Sequence, residues 1–199
     1  MKENIRSVLT LTIITIVAGI LLGYVYEITK EPIAAKTLET KMTAYKTVFP
    51  EASDFTAAPG FDAQSARNIL DDNGLTGETI DECLAAVNEK GDVIGNVMTI
   101  TTGEGYGGDI TISVGINRDG TLNGIEILDI SETAGLGMKA DTDDFKNQFK
   151  NKNVAKFNYT KTGAGADYEI DAISGATITT NACVNAVNAG LAYMQNLGD

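Results

Sequence analysis

Residues 171 to 180 read Asp-Ala-Ile-Ser-Gly-Ala-Thr-Ile-Thr-Thr and precede an apolar stretch rich in alanine and valine. A hydroxyl-rich loop that leads into a helix is suited to holding phosphate, because free N–H groups and the positive end of the helix dipole point outward there. Gly175 and Ala176 allow the backbone to come close to a ligand. The same residue types are common helix caps, and on local physics alone a plain cap is the more frequent explanation.

The exact order of these residues favours a cofactor-attachment site over a simple helix cap. Asp-x-x-Ser-Gly-Ala-Thr resembles the flavinylation motif of a family of membrane-anchored FMN-binding proteins, which includes the G subunits of Rnf electron-transport complexes and the C subunits of sodium-translocating NADH:quinone oxidoreductases. In that family a separate flavin transferase attaches FMN to the last threonine through a phosphoester bond. The resemblance implies covalent FMN at Thr177, with Ser174, Gly175 and Ala176 completing the motif. It also implies that Asp171 belongs to the transferase recognition sequence.

Two glycine-rich segments resemble flavin-side motifs of the same family, although each alone would be read as an ordinary turn. One is Gly103-Glu104-Gly105-Tyr106-Gly107-Gly108, and the other runs from Ser131 to Lys139 as Ser-Glu-Thr-Ala-Gly-Leu-Gly-Met-Lys. The second departs from the family pattern because Ala134 replaces a proline and the usual histidine is missing. The resemblance implies that their glycines let the backbone approach a flat flavin ring.

The remaining candidate side chains have implied roles around that flavin. Thr179 and Thr180 would lie in the first helical turn near the phosphate, Leu136 and Met138 would pack on the ring face, and Glu132 and Lys139 would bond its polar edge. The full set of candidate cofactor-binding residues is Thr177, Ser174, Gly175, Ala176, Thr179, Thr180, Asp171, Glu132, Thr133, Gly135, Leu136, Gly137, Met138, Lys139, Tyr106 and Gly107.

Composition narrows the chemistry that this chain can perform. The 199 residues carry a formal net charge of −12, which argues against nucleic acid as a partner because phosphate backbones demand Lys and Arg. The sequence contains no histidine, which excludes histidine-based acid–base catalysis and histidine-ligated haem or zinc. Redox chemistry would therefore come from a bound cofactor. We expect no catalytic side chain and no metal site, and interpret the acidic clusters as solvated surface.

The N-terminus carries an apolar run that predicts a membrane anchor. From Val8 to Tyr26 no residue is charged, and nineteen residues of helix span about 28 Å, close to the hydrocarbon core of a bilayer. A cleaved signal peptide is the main alternative, but its apolar region is normally shorter. Lysines on both sides leave the orientation open by charge. The resemblance implies a cytoplasmic N-terminus and an outward-facing domain.

The elements that must position these residues follow from periodicity and turn signals. Helices are predicted at 33–49, 63–71, 141–149 and 180–196, and the segment 51–80 is otherwise irregular. Strands are predicted at 83–88, 93–101, 109–117, 121–130, 154–162 and 167–173. The expected fold is α+β, with a single N-terminal transmembrane helix and a largely antiparallel sheet flanked by helices. The expected divisions are 1–30 for the tail and anchor, 31–80 for a linker helix and loop-rich segment, and 81–199 for an FMN-binding domain.

The cysteines leave one question open at this point. Cys83 and Cys183 are a hundred residues apart and form no CxxC motif, so an iron–sulfur or zinc site within this chain is not expected. A disulfide in an outward-facing domain and two buried free thiols are equally compatible with the sequence.

The resemblance covers nearly the whole chain and implies a function. We expect an electron-carrier subunit with covalent FMN in a membrane-bound, ion-translocating ferredoxin:NAD⁺ oxidoreductase, with no turnover alone. The implied partners are the other membrane subunits, a flavin transferase and the lipid bilayer. Two alternatives remain from other classes: a stand-alone flavinylated surface protein for extracellular electron transfer, and a non-redox anchored binding or assembly domain.

Overall fold

The computed structural model describes residues 2–196 of the chain. Residue 1 and residues 197–199, which belong to the predicted ranges 1–30 and 81–199, lie outside the described residues. The chain divides into two compact units, one ending at Thr40 and the other beginning at Lys41. The first unit is a helical segment, and the second contains every strand and the candidate functional residues.

Helix α1 (Lys2–Val48) begins the chain and continues through Pro32, so the helix predicted at 33–49 is its C-terminal part. Proline lacks the N–H that would bond the carbonyl four residues earlier, but the helix does not end at Pro32. The apolar side chains from Ile5 to Tyr26 are exposed in the isolated chain, and this helix is long and apolar enough to cross a membrane. Within it, Thr10, Thr12 and Thr15 donate their hydroxyls to backbone carbonyls four residues earlier.

A five-stranded antiparallel sheet forms the centre of the second unit. Its strands follow the chain in spatial order: β1 (Asp54–Ala57), β2 (Glu78–Val87), β3 (Val93–Thr102), β4 (Ile110–Asn117) and β5 (Leu122–Ile130). The turns at 88–92 and 117–121 close the β2–β3 and β4–β5 hairpins as the glycine and aspartate signals predict. The largely antiparallel α+β fold expected from the sequence is confirmed.

Helix α4 (Thr177–Asn196) packs across β2, β3 and β4 and buries most of its surface. It has apolar residues on nearly every side, as a helix enclosed by a core requires. Helix α2 (Ala63–Asp72) packs beside it and is capped by Asp62, whose carboxylate accepts the Ser65 N–H at 2.8 Å. The main core therefore lies between the sheet, α2 and α4.

Three predictions about secondary structure need correction. The segment 51–80 is not simply irregular, because it contains β1 and the start of β2. The strands predicted at 154–162 and 167–173 are only the short β6 (Asn158–Thr160) and β7 (Glu169–Asp171), which pair in parallel outside the main sheet. The helix predicted at 141–149 is one turn, α3 (Asp143–Lys146), between 3₁₀ turns at Gly137–Asp141 and Asn147–Phe149.

Both cysteines are free and buried, which resolves the alternative that the sequence left open. Cys83 lies on β2 and Cys183 on α4. Burial raises the pKa of the Cys83 thiol to about 11 and that of the Cys183 thiol to about 12. Neither thiol therefore behaves as a reactive thiolate at neutral pH.

Candidate functional site

The two glycine-rich segments and the start of α4 meet around one cavity of about 620 Å³. Its volume falls in the range of roughly 300–1,000 Å³ that is typical of small-molecule pockets. The wall is formed by Tyr106, Glu132, Thr133, Leu136, Gly137, Gly175, Ala176, Thr177, Ile178 and Thr179. All of these residues except Ile178 are among the candidates named from the sequence, although they come from three segments that are far apart in the chain.

The first turn of α4 divides its threonines between the cavity and the core. Thr177 opens the helix, is half-buried on the cavity wall, and its hydroxyl has no hydrogen-bond partner within residues 2–196. Thr179 is buried on the same wall. Thr180 faces the core, where its hydroxyl accepts the Ile173 N–H at 3.0 Å and donates to the Ala176 carbonyl at 2.9 Å. Thr177 is therefore the threonine of this turn whose hydroxyl is both accessible and uncommitted.

The turn before α4 is set by one glycine with a left-handed backbone. Gly175 has a φ of 79°, a conformation that side chains with a Cβ rarely adopt. The turn is closed by the Ala176 N–H, which donates to the Ile173 carbonyl at 2.9 Å. The chain thereby reverses just before Thr177 and leaves the first N–H groups of α4 at the cavity, where the helix dipole favours an anion.

Glu132 connects the two glycine-rich segments. Its Oε1 accepts the backbone N–H groups of Tyr106 at 2.7 Å and Gly107 at 3.2 Å. The segment 103–108, termed the tyrosine loop below, is therefore held by a carboxylate from the segment 131–139. Burial is the main cause of the raised pKa of the Cys183 thiol on α4, and the negative charge of Glu132 raises this pKa further.

Gly137 marks the closest approach between the segment 131–139 and α4. A Cβ at this position would lie 2.6 Å from Glu132 Oε2 and 2.7 Å from Thr179 Oγ1, distances that real Cβ atoms essentially never show. The absence of a side chain lets the Glu132 carboxylate and the first turn of α4 pack together. Close packing between protein segments thus explains this glycine without invoking a ligand.

The other predicted site residues lie outside the cavity wall. Asp171 ends β7, where its carboxylate accepts the Ala164 N–H at 2.6 Å. Ser174 is exposed in the turn before α4, and Lys139 lies in the 3₁₀ turn that follows the cavity, where it is exposed. The wall also excludes Gly107, Gly135, Met138 and Thr180.

Sequence reasoning missed Ile178, which belongs to an apolar rim around Thr177. Ile178 is 54% exposed, Tyr106 is 71% exposed and Leu136 is 42% exposed, and all three line the cavity. Large apolar side chains left open at a cavity mouth indicate a surface that a ligand or partner covers. The available signal was the position of Ile178 between two threonines at the start of a helix that is mostly buried.

This arrangement fits a molecule that combines a flat apolar ring with a phosphate group. Tyr106, Leu136 and Ile178 offer apolar and aromatic surface, and the start of α4 offers N–H groups and a free hydroxyl. The residues that are present therefore suit FMN.

Comparison with known proteins gives a matching family and a structure of limited similarity. The sequence matches the FMN-binding domain family over residues 105–192, which include the tyrosine loop from Gly105 onward, the segment 131–139 and most of α4. The crystal structure of Shewanella oneidensis NqrC is similar with a TM-score of 0.49 and 20% identity, covering 58% of this chain and 60% of that chain.

Relatives that match almost the whole chain are more informative. The G subunit of the ion-translocating oxidoreductase complex of Methanosarcina acetivorans is 31% identical over 97% of this chain and 95% of its own length. The G subunit of the Na⁺-translocating ferredoxin:NAD⁺ oxidoreductase complex of Acetobacterium woodii is 33% identical over 95% and 90%. With identity at this level over nearly their full length, this chain belongs to the family of FMN-binding G subunits of Rnf-type, ion-translocating oxidoreductase complexes.

Proposed function

We propose that this chain is an electron-carrier subunit with covalently bound FMN in a membrane-bound ferredoxin:NAD⁺ oxidoreductase complex. The observation that carries the proposal is Thr177, a half-buried threonine at a helix start whose hydroxyl is free and faces a cavity of suitable size. The name of the Acetobacterium woodii relative supports the electron-carrier role, since it specifies a ferredoxin:NAD⁺ oxidoreductase complex.

Attachment at Thr177 follows from the chemistry of a phosphoester, which requires an alcohol oxygen. Thr177 would supply that oxygen at the positive end of the α4 dipole, and phosphate oxygens would accept hydrogen bonds from the N–H groups of the first turn. Thr180 is a poor acceptor in comparison, because its hydroxyl is buried and bonded on both sides. A separate flavin transferase would make the bond.

The side chains around the cavity would hold the ring and limit its exposure to water. Leu136 and Ile178 would contact its apolar face, and Tyr106 would cover an edge. Glu132 would act through the tyrosine loop, whose backbone it binds. When bound, FMN accepts electrons from one redox group and passes them to another, which this chain cannot do with its own side chains.

The proposed function also requires a location in the membrane and partner subunits that exchange electrons with the flavin. The apolar part of α1 would anchor the chain in the membrane, with the N-terminus in the cytoplasm and the flavin domain on the outer side. A covalent bond is useful there, because a flavin lost outside the cell is not recovered. Other subunits of the complex would supply and remove electrons, since this chain carries no nucleotide-binding fingerprint.

The test is flavin fluorescence of the denatured protein band after co-expression with a flavin transferase. We expect a fluorescent wild-type band, a dark Thr177→Ala band and a fluorescent Thr177→Ser band, because serine keeps the alcohol. Thr133→Ala is the matched control, since Thr133 is also a threonine on the cavity wall, and its band should stay fluorescent.

Two results would contradict the proposal. A dark wild-type band beside an active transferase would remove covalent flavin altogether. A fluorescent Thr177→Ala band would move the acceptor to another hydroxyl. The partner claim is tested separately: a flavinylated chain that purifies from native membranes without other redox subunits would favour a stand-alone surface carrier.

A further inference from the structure

A glutamate beneath the tyrosine loop is buried without a complete set of partners. Glu78 begins β2, and its side chain is 0% exposed. Its Oε1 accepts the Thr102 hydroxyl at 3.2 Å, whereas its Oε2 has no partner among the described residues. An isolated carboxylate is costly to bury, so a structure that holds one must supply a cation, donors or a proton.

A second glutamate, on the tyrosine loop itself, lies next to it. Glu104 packs over Gly77, where a Cβ would lie 2.7 Å from Glu104 Cγ. Its backbone N–H donates to Thr102 Oγ1 at 3.3 Å, the same hydroxyl that bonds Glu78. Thr102 therefore joins the two glutamates in one polar network.

Glu104 also ties the tyrosine loop to α4. Its Oε2 accepts Nδ2 of Asn185 at 2.7 Å and Nδ2 of Asn181 at 3.3 Å. Asn181 and Asn185 follow Thr177 at intervals of four residues, so all three lie on one face of the helix. The tyrosine loop is thus fixed to the same helical face that presents the acceptor hydroxyl.

The charges around Glu78 favour a neutral carboxyl group. Burial raises the pKa of Glu78 above the ordinary glutamate range, and the nearby negative charge of Glu104 raises it further. From α2, Arg67 donates to the Glu78 backbone carbonyl at 2.8 Å and pairs with Asp71. The Arg67 charge also attracts that of Glu78, which offsets part of the rise caused by burial and by Glu104. From β3 and α4 the facing groups are Thr102, Asn181 and Asn185, which carry no charge.

We propose that Glu78 is held as a neutral carboxylic acid beside an ionised Glu104, and that this single stored proton keeps the tyrosine loop clamped on α4 next to the cavity. Glu78 and Glu104 are then positioning residues, because they act through the loop and not on the ligand. A proton suits the site better than a metal cation, since Glu104 already receives two amide donors. The inference rests on the proposed function only for the identity of the ligand.

The clamp has a definite pH dependence. Because the folded protein holds this proton more tightly than the unfolded chain, the stabilisation is complete below the ordinary glutamate pKa and is lost as pH rises through the raised pKa of Glu78. Above that point, a second negative charge repels Glu104. The bonds from Asn185 and Asn181 then weaken, and the tyrosine loop loosens.

The experiment is a pH titration by NMR of the full chain in detergent, produced without a flavin transferase. Glutamate carboxyl carbons and backbone and side-chain amides are labelled, and Glu78→Gln identifies the Glu78 signal. We expect that signal to titrate above those of exposed glutamates. The Asn185 side-chain amide and the Gly107 backbone amide should shift with the same midpoint, and these shifts should vanish in Glu78→Gln, which mimics the neutral acid.

Two further variants separate a clamp from a general effect of charge. Glu104→Gln removes the neighbouring negative charge, so the Glu78 signal should titrate at lower pH even if Glu78→Gln folds poorly. Glu82→Gln is the matched control on the same strand, because Glu82 contacts Tyr45 and Lys41 instead of the tyrosine loop. It should leave the Asn185 titration unchanged.

Three outcomes would overturn the inference. Glu78 could titrate together with the exposed glutamates, or the Asn185 and Gly107 signals could stay fixed while Glu78 titrates. Saturable shifts of the Glu78 and Glu104 signals on addition of NaCl or CaCl₂ at constant ionic strength would assign the site to a cation. All three are read without flavin, so a failure of the proposed function would leave this result untouched.

Discussion

The first turn of α4 and the middle of the same helix are built from similar small residues but are arranged in opposite ways. In the first turn, Thr177 is half-buried with a free hydroxyl, and Ile178 is exposed. In the middle, every residue from Ala186 to Tyr193 is buried. There even the polar Asn188 is fully engaged, since it donates to the Phe157 carbonyl at 3.0 Å and accepts the Phe157 N–H at 2.8 Å.

This difference shows how one helix separates stability from chemistry. The middle contributes buried apolar area and satisfied hydrogen bonds, which stabilise the fold. The first turn leaves a free hydroxyl and an apolar rim open at the cavity, and contributes less to the core. Changes in the middle should therefore lower stability and leave the proposed flavin attachment intact, whereas loss of the Thr177 hydroxyl should do the reverse.

Asn188→Leu gives the largest expected loss of stability. It leaves the N–H and the carbonyl of Phe157 buried without partners, at a cost of about 2–5 kcal/mol in the free energy of unfolding. Chemical denaturation of the detergent-solubilised chain measures this, with Gln195→Leu as control, because within residues 2–196 the Gln195 side chain makes one exposed bond, to the Ala155 carbonyl. Flavin attachment to the folded fraction should match wild type. A stability equal to the control would contradict the assignment of Asn188 to the core.

Thr180→Val tests the boundary between the two regions. Valine keeps the shape of the side chain but removes the acceptor for the buried Ile173 N–H, at a cost of about 1–3 kcal/mol. The Tm should fall, while the denatured band should stay fluorescent after exposure to the transferase. Thr177→Val should show the opposite pattern, with an unchanged Tm and a dark band. A dark Thr180→Val band from well-folded protein would mean that the first turn cannot be divided in this way.

Gly175→Ala gives a smaller expected loss of stability than Asn188→Leu or Thr180→Val. A side chain at a φ of 79° costs about 1 kcal/mol, and the new Cβ would lie 3.0 Å from Leu136 Cδ2. The turn sets the position of Thr177 relative to the cavity. We therefore expect the rate of flavin attachment to fall by more than the loss of folded protein alone would cause. A time course of band fluorescence at fixed transferase concentration measures the rate, with Gly163→Ala as a control at a positive φ away from the cavity. Equal rates for the two variants would show that the Gly175 turn does not set the position of Thr177.

Much of this fold can be predicted from the sequence, because local residue patterns determine the strands, the turns and the helix starts. Alternating apolar residues and glycine-containing turns predict the hairpins of β2 to β5, and the turn before Thr177 predicts the start of α4 within three residues. The cavity wall was predictable for a different reason. Three short motifs were identified by resemblance, and tertiary folding then placed them together.

The features that were missed depend on contacts between distant residues. The short β6 and β7 pair in parallel across eight residues of loop, and periodicity cannot reveal such pairing. Strand β1 is four residues long and is defined mainly by its neighbour β2. The network of Glu78, Thr102 and Glu104 joins three elements, and nothing in the sequence marks Glu78 as buried.

The strand order of the sheet has a consequence for when the cavity can form. Each strand pairs with the one before it in the chain, so the sheet can grow in the order of synthesis. Helix α4, which carries Thr177, is the last element and packs on β2, β3 and β4 together. Thr177 therefore reaches its place at the cavity only after these three strands have paired, so the proposed flavin attachment would follow the folding of the sheet and report on it.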